Sequence, residues 1–453
     1  MYNPNDTIIS IATGPKGAIG IIRISGKDSF SISKKILKPE KAFLEPKPNA
    51  SYLLKITDEK NNLIDRAMVI TYLAPKSYTG EDMVEIFCHN SPYIIKKTVE
   101  LFIKNGARQA REGEFSFRAF INGKMDLSQA EGINELLKAE TEKQHKIAIN
   151  QVNGNLSKKI NLIKEELIET LSEVEVRIDD SYEEIGEISI SDFEKRLKNL
   201  SNIIKKMTDT YSKSEFIKNG IKIALVGAPN SGKSSLLNKI LGYERSITSD
   251  IPGTTRDTIE AICEIGGIKA VFTDTAGIRA ETNDPIELEG IERTKNAVKN
   301  SDVIIYLKDI SRNQSQDDKM ALEIIENNAK DSAFILRVYS KSDLSHIKPK
   351  DNYLKVSAKT GENIDKLLSL ISDKEEKVID GFYDEIITSY RHYQCLSNAL
   401  NEINSLLKII NGKNYEIISE HLRQALNALE DITGKTTPED VLSKIFKNFC
   451  VGK

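Results

Sequence analysis

A glycine-framed run with a single lysine is the first part of this 453-residue chain whose residue types and spacing could do chemistry. Gly227-Ala-Pro-Asn-Ser-Gly232-Lys233-Ser234 follows the pattern G-x-x-x-x-G-K-[ST]. In that spacing, backbone N–H groups can wrap a phosphate. The apolar residues Ile221–Val226 before it read as a strand and residues 236–241 after it as a helix. The positive end of that helix then faces the same phosphate. Lys233 would reach the β and γ oxygens, and the Ser234 hydroxyl would bind Mg²⁺. Asn230, Ser231, Gly232 and Ser235 line the same loop.

Four further segments follow in order. Asp250-Ile-Pro-Gly-Thr254-Thr255-Arg256-Asp257 reads as a loop, with Thr255 the candidate to complete the Mg²⁺ shell. The apolar strand at 269–273 delivers Asp274-Thr275-Ala276-Gly277. Asp274 suits a carboxylate behind the metal, and the Gly277 N–H can sense a γ-phosphate. A strand at 334–339 ends in Ser340-Lys341-Ser342-Asp343, and one at 353–356 ends in Ser357-Ala358-Lys359. The Asp343 carboxylate can accept from guanine N1–H and the 2-amino group, neither of which adenine offers, while the backbone at Ala358 meets O6. The chemistry these five segments imply is guanine-nucleotide binding with GTP hydrolysis.

Two departures qualify that reading. Ser340 stands where asparagine is usual, which predicts a weaker tie between base loop and phosphate loop while leaving guanine choice to Asp343. Ile278 stands where many GTPases carry the glutamine that orients the attacking water. No arginine finger stands out beyond the weak candidate Arg279. Glu281, Asp284, Glu287 and Glu289 follow, and residue logic alone does not choose among them.

The elements that must position these residues are legible as changes of texture. Strands are expected at residues 8–12, 18–24 and 67–72, and a helix at 91–104 with Ser91 as N-cap and Pro92 in its first turn. Apolar residues stepping by three or four make amphipathic helices of Leu156, Ile160, Ile163, Leu167, Leu171, Val174 and Ile178, and of Phe193, Leu197, Leu200, Ile204, Met207 and Tyr211. Strands and helices alternate over about 218–375, the pattern of a parallel sheet. Helical stripes return with Leu396, Leu400, Ile403, Leu407 and Ile410, and continue to Phe449. The expected fold is multidomain: an α+β domain at 1–121, an all-α helical domain in two parts at 122–217 and 378–453, and an α/β Ras-like P-loop domain inserted at 218–377.

Composition narrows the class. The chain is 39% hydrophobic and 29% charged with a formal net charge of −3, so a nucleic-acid partner would have to meet a local patch rather than a global basic field. Its four cysteines are scattered without a CxxC pair, which fits a reducing cytosol and no zinc site. No apolar run approaches the roughly 20 residues of a membrane span, and no export signal is visible; a cytoplasmic protein is expected. The tail Cys450-Val-Gly-Lys453 mimics a prenylation box, but lysine is not a usual last residue there.

Asn230 in the phosphate loop, Gly-Thr-Thr-Arg-Asp at 253–257 and Phe449-Cys450-Val-Gly-Lys453 occur together in one family. So do Gly14-Pro-Lys-Gly-Ala-Ile-Gly20 with Arg23, Tyr78-Thr-Gly-Glu81-Asp82, Arg111-Glu-Gly-Glu-Phe-Ser116, Asn122-Gly-Lys124-Met-Asp126, Gln129-Ala-Glu131 and Ile432-Thr-Gly-Lys435. Over essentially its whole length the chain resembles the MnmE/TrmE-type tRNA modification GTPases. That resemblance implies a homodimer that forms a heterotetramer with an FAD-dependent, NADH-using MnmG/GidA-type subunit and acts on tRNA. Together they install a carboxymethylaminomethyl or aminomethyl group at C5 of a wobble uridine. The carbon comes from a tetrahydrofolate derivative, 5-formyl or methylene.

The resemblance also implies site residues. Arg23, Glu81, Lys124 and Lys453 fall on folate-binding positions, and Cys450 on the family's tail cysteine, a catalytic candidate. Asn230 would help bind K⁺, with Ser249, Ile251 and Thr254 of the following loop completing its shell, so that the cation does the work of an arginine finger and two G domains meet across it. Glu287, by its spacing to Gly290, matches the water-orienting glutamate, with Glu289 as the alternative. Two other classes compete: a ribosome-assembly or RNA-binding switch GTPase, and a mechanical GTPase with a helical stalk. The former usually begins with its G domain, whereas some 220 residues precede it here.

Overall fold

The computed structural model describes residues 5–178, 189–243, 260–274, 285–344, 353–379, 386–410, 414–449 and 452. The first elements are β1 (Ile8–Ile11), β2 (Ile19–Ser25), α1 (Ser29–Ile36), β3 (Leu37–Lys38), β4 (Ala50–Thr57), β5 (Leu63–Tyr72), β6 (Met83–His89), α2 (Pro92–Lys104), β7 (Arg108–Gln109) and α3 (Glu114–Ile121). Helices α4 (Leu127–Lys138), α5 (Glu142–Val152), α6 (Asn155–Glu175), α7 (Ile190–Asp209) and α8 (Tyr211–Asn219) follow. Then come β8 (Ile221–Val226), α9 (Lys233–Tyr243), β9 (Glu260–Ile265), β10 (Ile268–Asp274), α10 (Pro285–Asn300), β11 (Val303–Asp309), α11 (Gln316–Asn328), β12 (Phe334–Ser340), β13 (Leu354–Lys355) and α12 (Ile364–Ile379). Helices α13 (Tyr390–Ile409), α14 (Tyr415–Thr433) and α15 (Glu439–Phe446) close the chain.

Two compact units result. One gathers Met1–Asn134, Gln151–Phe193 and Glu402–Lys453; the other gathers Glu135–Asn150 and Glu194–Asn401. The divisions fall inside α4, α5, α7 and α13, so continuous helices run from one unit into the other.

In the first unit, a seven-stranded sheet runs in the order β3-β4-β5-β6-β2-β1-β7. Its pairs are antiparallel except β1 with β7. One face carries Ile22, Ile24, Val69, Val84, Ile86 and Ile56, all buried with Phe102 of α2 and Ile32 and Ile36 of α1. Strand periodicity leaves the alternate residues on the opposite face. Ser91 holds the extended N-cap backbone of α2 and Pro92 its first turn, but the Ser91 side chain makes no capping bond. The last helix returns to this unit. Phe446 is fully buried and meets Phe117 edge-on with centroids 5.5 Å apart, and Phe449 at 5.1 Å.

The helical stripes are largely inward as their spacing predicts: Leu156, Ile160, Ile163, Leu167 and Val174 on α6 are buried. On α13 the inward face is turned by one position. Ala399 and Leu406 are buried between Leu396, Ile403 and Ile410, while Leu400 and Leu407 are only partly covered.

In the second unit, a six-stranded sheet runs β13-β12-β11-β8-β10-β9, parallel except for the β9–β10 hairpin. Strands buried on both faces need continuous apolar runs, and Val303, Ile304, Ile305, Tyr306 and Leu307 of β11 are all buried. Helix α5 is held to the hairpin. The Lys143 N–H donates to the Gly267 carbonyl at 3.2 Å, the Glu142 N–H to Glu264 Oε1 at 3.1 Å, and Lys269 pairs with Glu140 at 2.6 Å. Ile147 of the same helix joins the sheet's core.

Candidate functional site

Parallel strands in one sheet end on one edge, and the strand order reverses around β8. Ligands bind α/β sheets at that kind of edge. The phosphate loop leaves β8 there and turns into α9. Gly227 cannot carry a side chain: a Cβ would lie 2.4 Å from the Leu307 carbonyl oxygen and 2.8 Å from Ser231 Oγ. Asn230 takes a left-handed φ of 59° with its side chain exposed. Lys233 is buried, and its Nζ donates to the carbonyls of Gly227 and Ala228 at 2.9 and 3.1 Å, folded along the loop that would hold the phosphates. Ser231 Oγ is buried without a hydrogen-bond partner. Ser234 and Ser235 are exposed in the first turn of α9, just after Lys233.

The base-reading segments sit on the same edge. Asp343 Oδ1 accepts from Ser357 Oγ at 2.7 Å, and Ser357 Oγ accepts from the Thr360 N–H at 3.2 Å. Ser357 is fully buried, whereas Asp343 is exposed. Ala358 is partly covered, and Lys359 is exposed. The tie expected to weaken at Ser340 is present: its Oγ donates to the Ser231 carbonyl at 2.5 Å. A hydroxyl has one donor hydrogen where an amide has two, so this is one bond where asparagine could make two. The serine still joins base loop to phosphate loop.

Asp274 ends β10, and Glu287 lies in the first turn of α10; the side chains of both are outside the described residues. Ser249, Ile251, Thr254, Thr255, Thr275, Ala276, Gly277, Cys450 and Lys453 also lie outside them. Glu289 is exposed and pairs with Arg293 at 2.7 Å.

A second cluster forms in the first unit. Arg23 on β2 faces Glu85 on β6 in register, and its Nε donates to Glu85 Oε1 at 2.8 Å. Its guanidinium lies 5.1 Å from the Tyr78 ring centroid and 5.6 Å from that of Phe115. Its Nη1 donates to the Gly452 carbonyl at 3.2 Å, across 429 residues of chain. Gly452 is buried with φ of 96°, and a Cβ there would lie 2.1 Å from the Ile11 carbonyl oxygen, so only glycine lets the tail lie this close. Tyr72 OH donates to Glu85 Oε2 at 3.1 Å; burial, then the Glu85 charge, push that hydroxyl up to about 12.

Glu81 accepts from Ser25 Oγ at 2.7 Å and from Arg118 Nη1 at 3.0 Å. Arg118 is 2% exposed and also pairs with the fully buried Glu114. Burial works to raise the Glu114 pKa, but hydrogen bonds from Arg108 and the Arg111 N–H outweigh it and hold the carboxyl below its usual range. Lys124 is exposed, its Nζ donates to the Pro75 carbonyl at 3.0 Å, and its stem lies along Gly80 beside Glu81. A cavity of about 330 Å³ opens next to it, lined by Lys124, Asp126, Gln129, Asn161 and Lys435 among others.

Arg23, Glu81, Lys124 and Gly452 therefore share one region. Sequence reasoning missed Glu85, Arg118 and Tyr72, which hold that region in place. The only local signal was that Tyr78 and Phe115 lie within segments already singled out. Cys88 is no candidate nucleophile: burial, then the nearby Asp65, push its thiol up to about 11. Among the described residues no group of three or more His, Cys, Asp and Glu could hold a metal, and no helix is long and apolar enough to cross a membrane.

The parallel sheet, the glycine-cradled lysine loop and the carboxylate held by Ser357 define a P-loop GTPase selective for guanine. The family follows from the rest of the chain. Residues 7–124 match the model described as "GTP-binding protein TrmE N-terminus", and residues 127–450 match "MnmE helical domain". The chain is 38% identical to the tRNA modification GTPase MnmE of Thermotoga maritima, over 99% of this chain and 100% of that one. It is 39% identical to the protein of that name from Caldicellulosiruptor saccharolyticus, over 99% of each chain. A solved structure of Era from Aquifex aeolicus aligns with 40% of this chain and 65% of its own at 27% identity, with a TM-score of 0.27, too slight to argue from. The chain belongs to the MnmE/TrmE family of GTPases.

Asp343 yields a direct test. In Asp343→Asn an amide N–H replaces the carboxylate oxygen expected to accept from the guanine 2-amino group and can donate to the 2-oxo group of xanthine instead, so preference is expected to move from GTP to XTP. Competition binding with the two nucleotides checks it. Retained GTP preference would mean that Asp343 does not face the base.

Proposed function

We propose that this chain is the GTP-hydrolysing component of a complex that modifies C5 of the wobble uridine of certain tRNAs. The product carries a carboxymethylaminomethyl or aminomethyl group built from a folate one-carbon unit. The observation that carries the reading is the end-to-end match to proteins named as tRNA modification GTPases, with the guanine site embedded within it. An FAD-dependent MnmG/GidA-type subunit using NADH would be the partner in a heterotetramer on tRNA, in the cytoplasm.

In this reading the folate derivative binds the first unit. A pterin ring carries an amide and an amine much as guanine does, and the Glu81 carboxylate and Gly452 carbonyl offer acceptors for them. The exposed Lys124 ammonium suits the ligand's glutamate carboxylate. Lys453 and Cys450 belong to the same tail as Gly452. Domain limits of 1–121, 122–217, 218–377 and 378–453 go with this division of labour.

GTP hydrolysis would use Mg²⁺ on Ser234 and Thr255, with Glu287 orienting water in place of the missing glutamine. K⁺ on Asn230, with Ser249, Ile251 and Thr254, would supply positive charge at the transition state. Asn230 is exposed in a left-handed turn of the phosphate loop, which leaves its amide oxygen available. Turnover is expected to be faster in KCl than in NaCl at equal ionic strength; equal rates would remove the cation from the mechanism.

Coupling of the two halves has a physical route. The β9–β10 hairpin leads from the loop at 253–257 to Asp274, and α5 grips its far turn. Movement of either segment on hydrolysis then reaches α5, which continues into the first unit. The test uses a strain lacking the protein, complemented with wild type or Glu287→Ala. Nucleoside mass spectrometry is expected to show the modified uridine only with wild type. Single-turnover hydrolysis by the variant should fall by about 10²–10⁴, the range for a lost proton-handling or water-orienting group, with GTP binding little changed. Unchanged modification in the deleted strain would sink the assignment.

The homodimer would form on the open face of the seven-stranded sheet. Leu53, Met68, Phe87 and Ile21 stand in one row across β4, β5, β6 and β2. Leu53 is 66% exposed and Met68 44%. A flat apolar row of this kind is covered in most proteins. Met68→Glu is expected to yield monomers in sedimentation at micromolar concentration with its GTPase site intact. A persistent dimer would move the interface elsewhere.

A further inference from the structure

The one departure in the base-reading segment, Ser340, has a second anchor beside it. Strands β11 and β12 pair so that Asp309 lies opposite Ser340. The next residue, Lys341, has φ of 58°, a left-handed backbone that disfavours a residue with a Cβ. Its ammonium lies 2.6 Å from Asp309 Oδ2. Asp309 is itself clamped: Oδ1 accepts from the Ser311 N–H at 2.9 Å and from Ser311 Oγ at 2.6 Å. The Asp309 side chain is 7% exposed and that of Lys341 34%. Burial opposes the carboxylate's charge, and the bonds from Lys341 and Ser311 outweigh it, leaving Asp309 below its usual range.

A buried, clamped carboxylate gripping the tip of a half-exposed lysine fixes where the four methylenes lie. Lys341 follows directly on Ser340, which bonds the phosphate loop at Ser231, and stands two residues before Asp343. A purine presents a flat apolar face, and a long side chain held at its tip presents an apolar flank to match. We propose that Asp309 is a positioning residue for the nucleotide: it pins Lys341 so that the lysine stem makes a fixed floor for the guanine ring. Together with the Ser340–Ser231 bond, it supplies anchoring that an asparagine at 340 would otherwise give alone. The inference rests on the GTP site and not on the tRNA, folate or K⁺ readings.

The test measures dissociation of fluorescent GDP and GTP from the full-length protein. Asp309→Asn and Lys341→Met are each expected to weaken both nucleotides about tenfold and alike, within the range for directly coupled pairs. The double variant should be no weaker than the weaker single. Asp309→Glu should recover most of the affinity. The loss should fall on KM and the off-rate, with kcat changing by less than about twofold, as expected for uniform binding lost equally from ground and transition states. Additive losses in the double variant, or a kcat loss as large as the KM rise, would overturn the proposal. Should Asp309→Asn fail to fold, Lys341→Met decides alone, because it keeps the stem and removes only the pinned charge: wild-type affinity in that variant refutes the pin.

Discussion

The return of the last helix to the first sheet is the contact on which the cluster around Arg23 depends. Phe446 is fully buried among the rings of Phe117, Phe120 and Phe449. Burying a phenylalanine this way is worth about 3–5 kcal/mol by the cost of truncating one to alanine, a large fraction of a domain's net stability. That anchor delivers Gly452 to Arg23 and Ile11. Arg23 then has three partners of different kinds: a carboxylate, two aromatic faces and a carbonyl from the chain's other end. A guanidinium suits this because its planar fork donates at the edge while its face stacks.

The buried ions nearby follow the same logic. Arg118 and Glu114 are removed from water, and a buried pair of this kind adds little stability over apolar packing. Losing one partner, by contrast, strands the other charge at a cost of ~3–5 kcal/mol. The network therefore enforces a single arrangement of the loop that carries Glu81, which is what a binding residue needs. Glu81 is held by Ser25 and Arg118 before any ligand arrives.

In the second unit, backbone geometry shapes the phosphate loop and side chains align the segments around it. The phosphate loop is closed by glycines and by one lysine folded along it. Three side-chain bonds tie the segments at the strand ends together, Ser340 to Ser231, Lys341 to Asp309 and Ser357 to Asp343. Each joins the ends of different elements, so the sheet's register decides whether they form. Helix α5 holds the β9–β10 turn through the Lys143 N–H bond to the Gly267 carbonyl and the Glu142 N–H bond to Glu264.

The phosphate loop and the segments at 340–343 and 357–359 were legible as motifs because each is a short contiguous stretch that follows a strand. The stripe of α6 was readable because five large apolar residues leave one possible face. The stripe of α13 was misjudged by one position. Ala399 and Leu406 are fully buried there, so the inward face follows packing and not the largest apolar residues alone. The partners Glu85, Arg118, Asp309 and Gly452 had no local signature. A charged residue in a strand reads as surface until the sheet's register places it, and Arg23 meets Glu85 across 62 residues and Gly452 across 429. The sequence by itself determined which chemistry the chain carries, because that chemistry resides in local backbone motifs. Only the tertiary structure decided which side chains hold those motifs in place, because ion pairs and ring contacts depend on distance in space and not on separation along the chain.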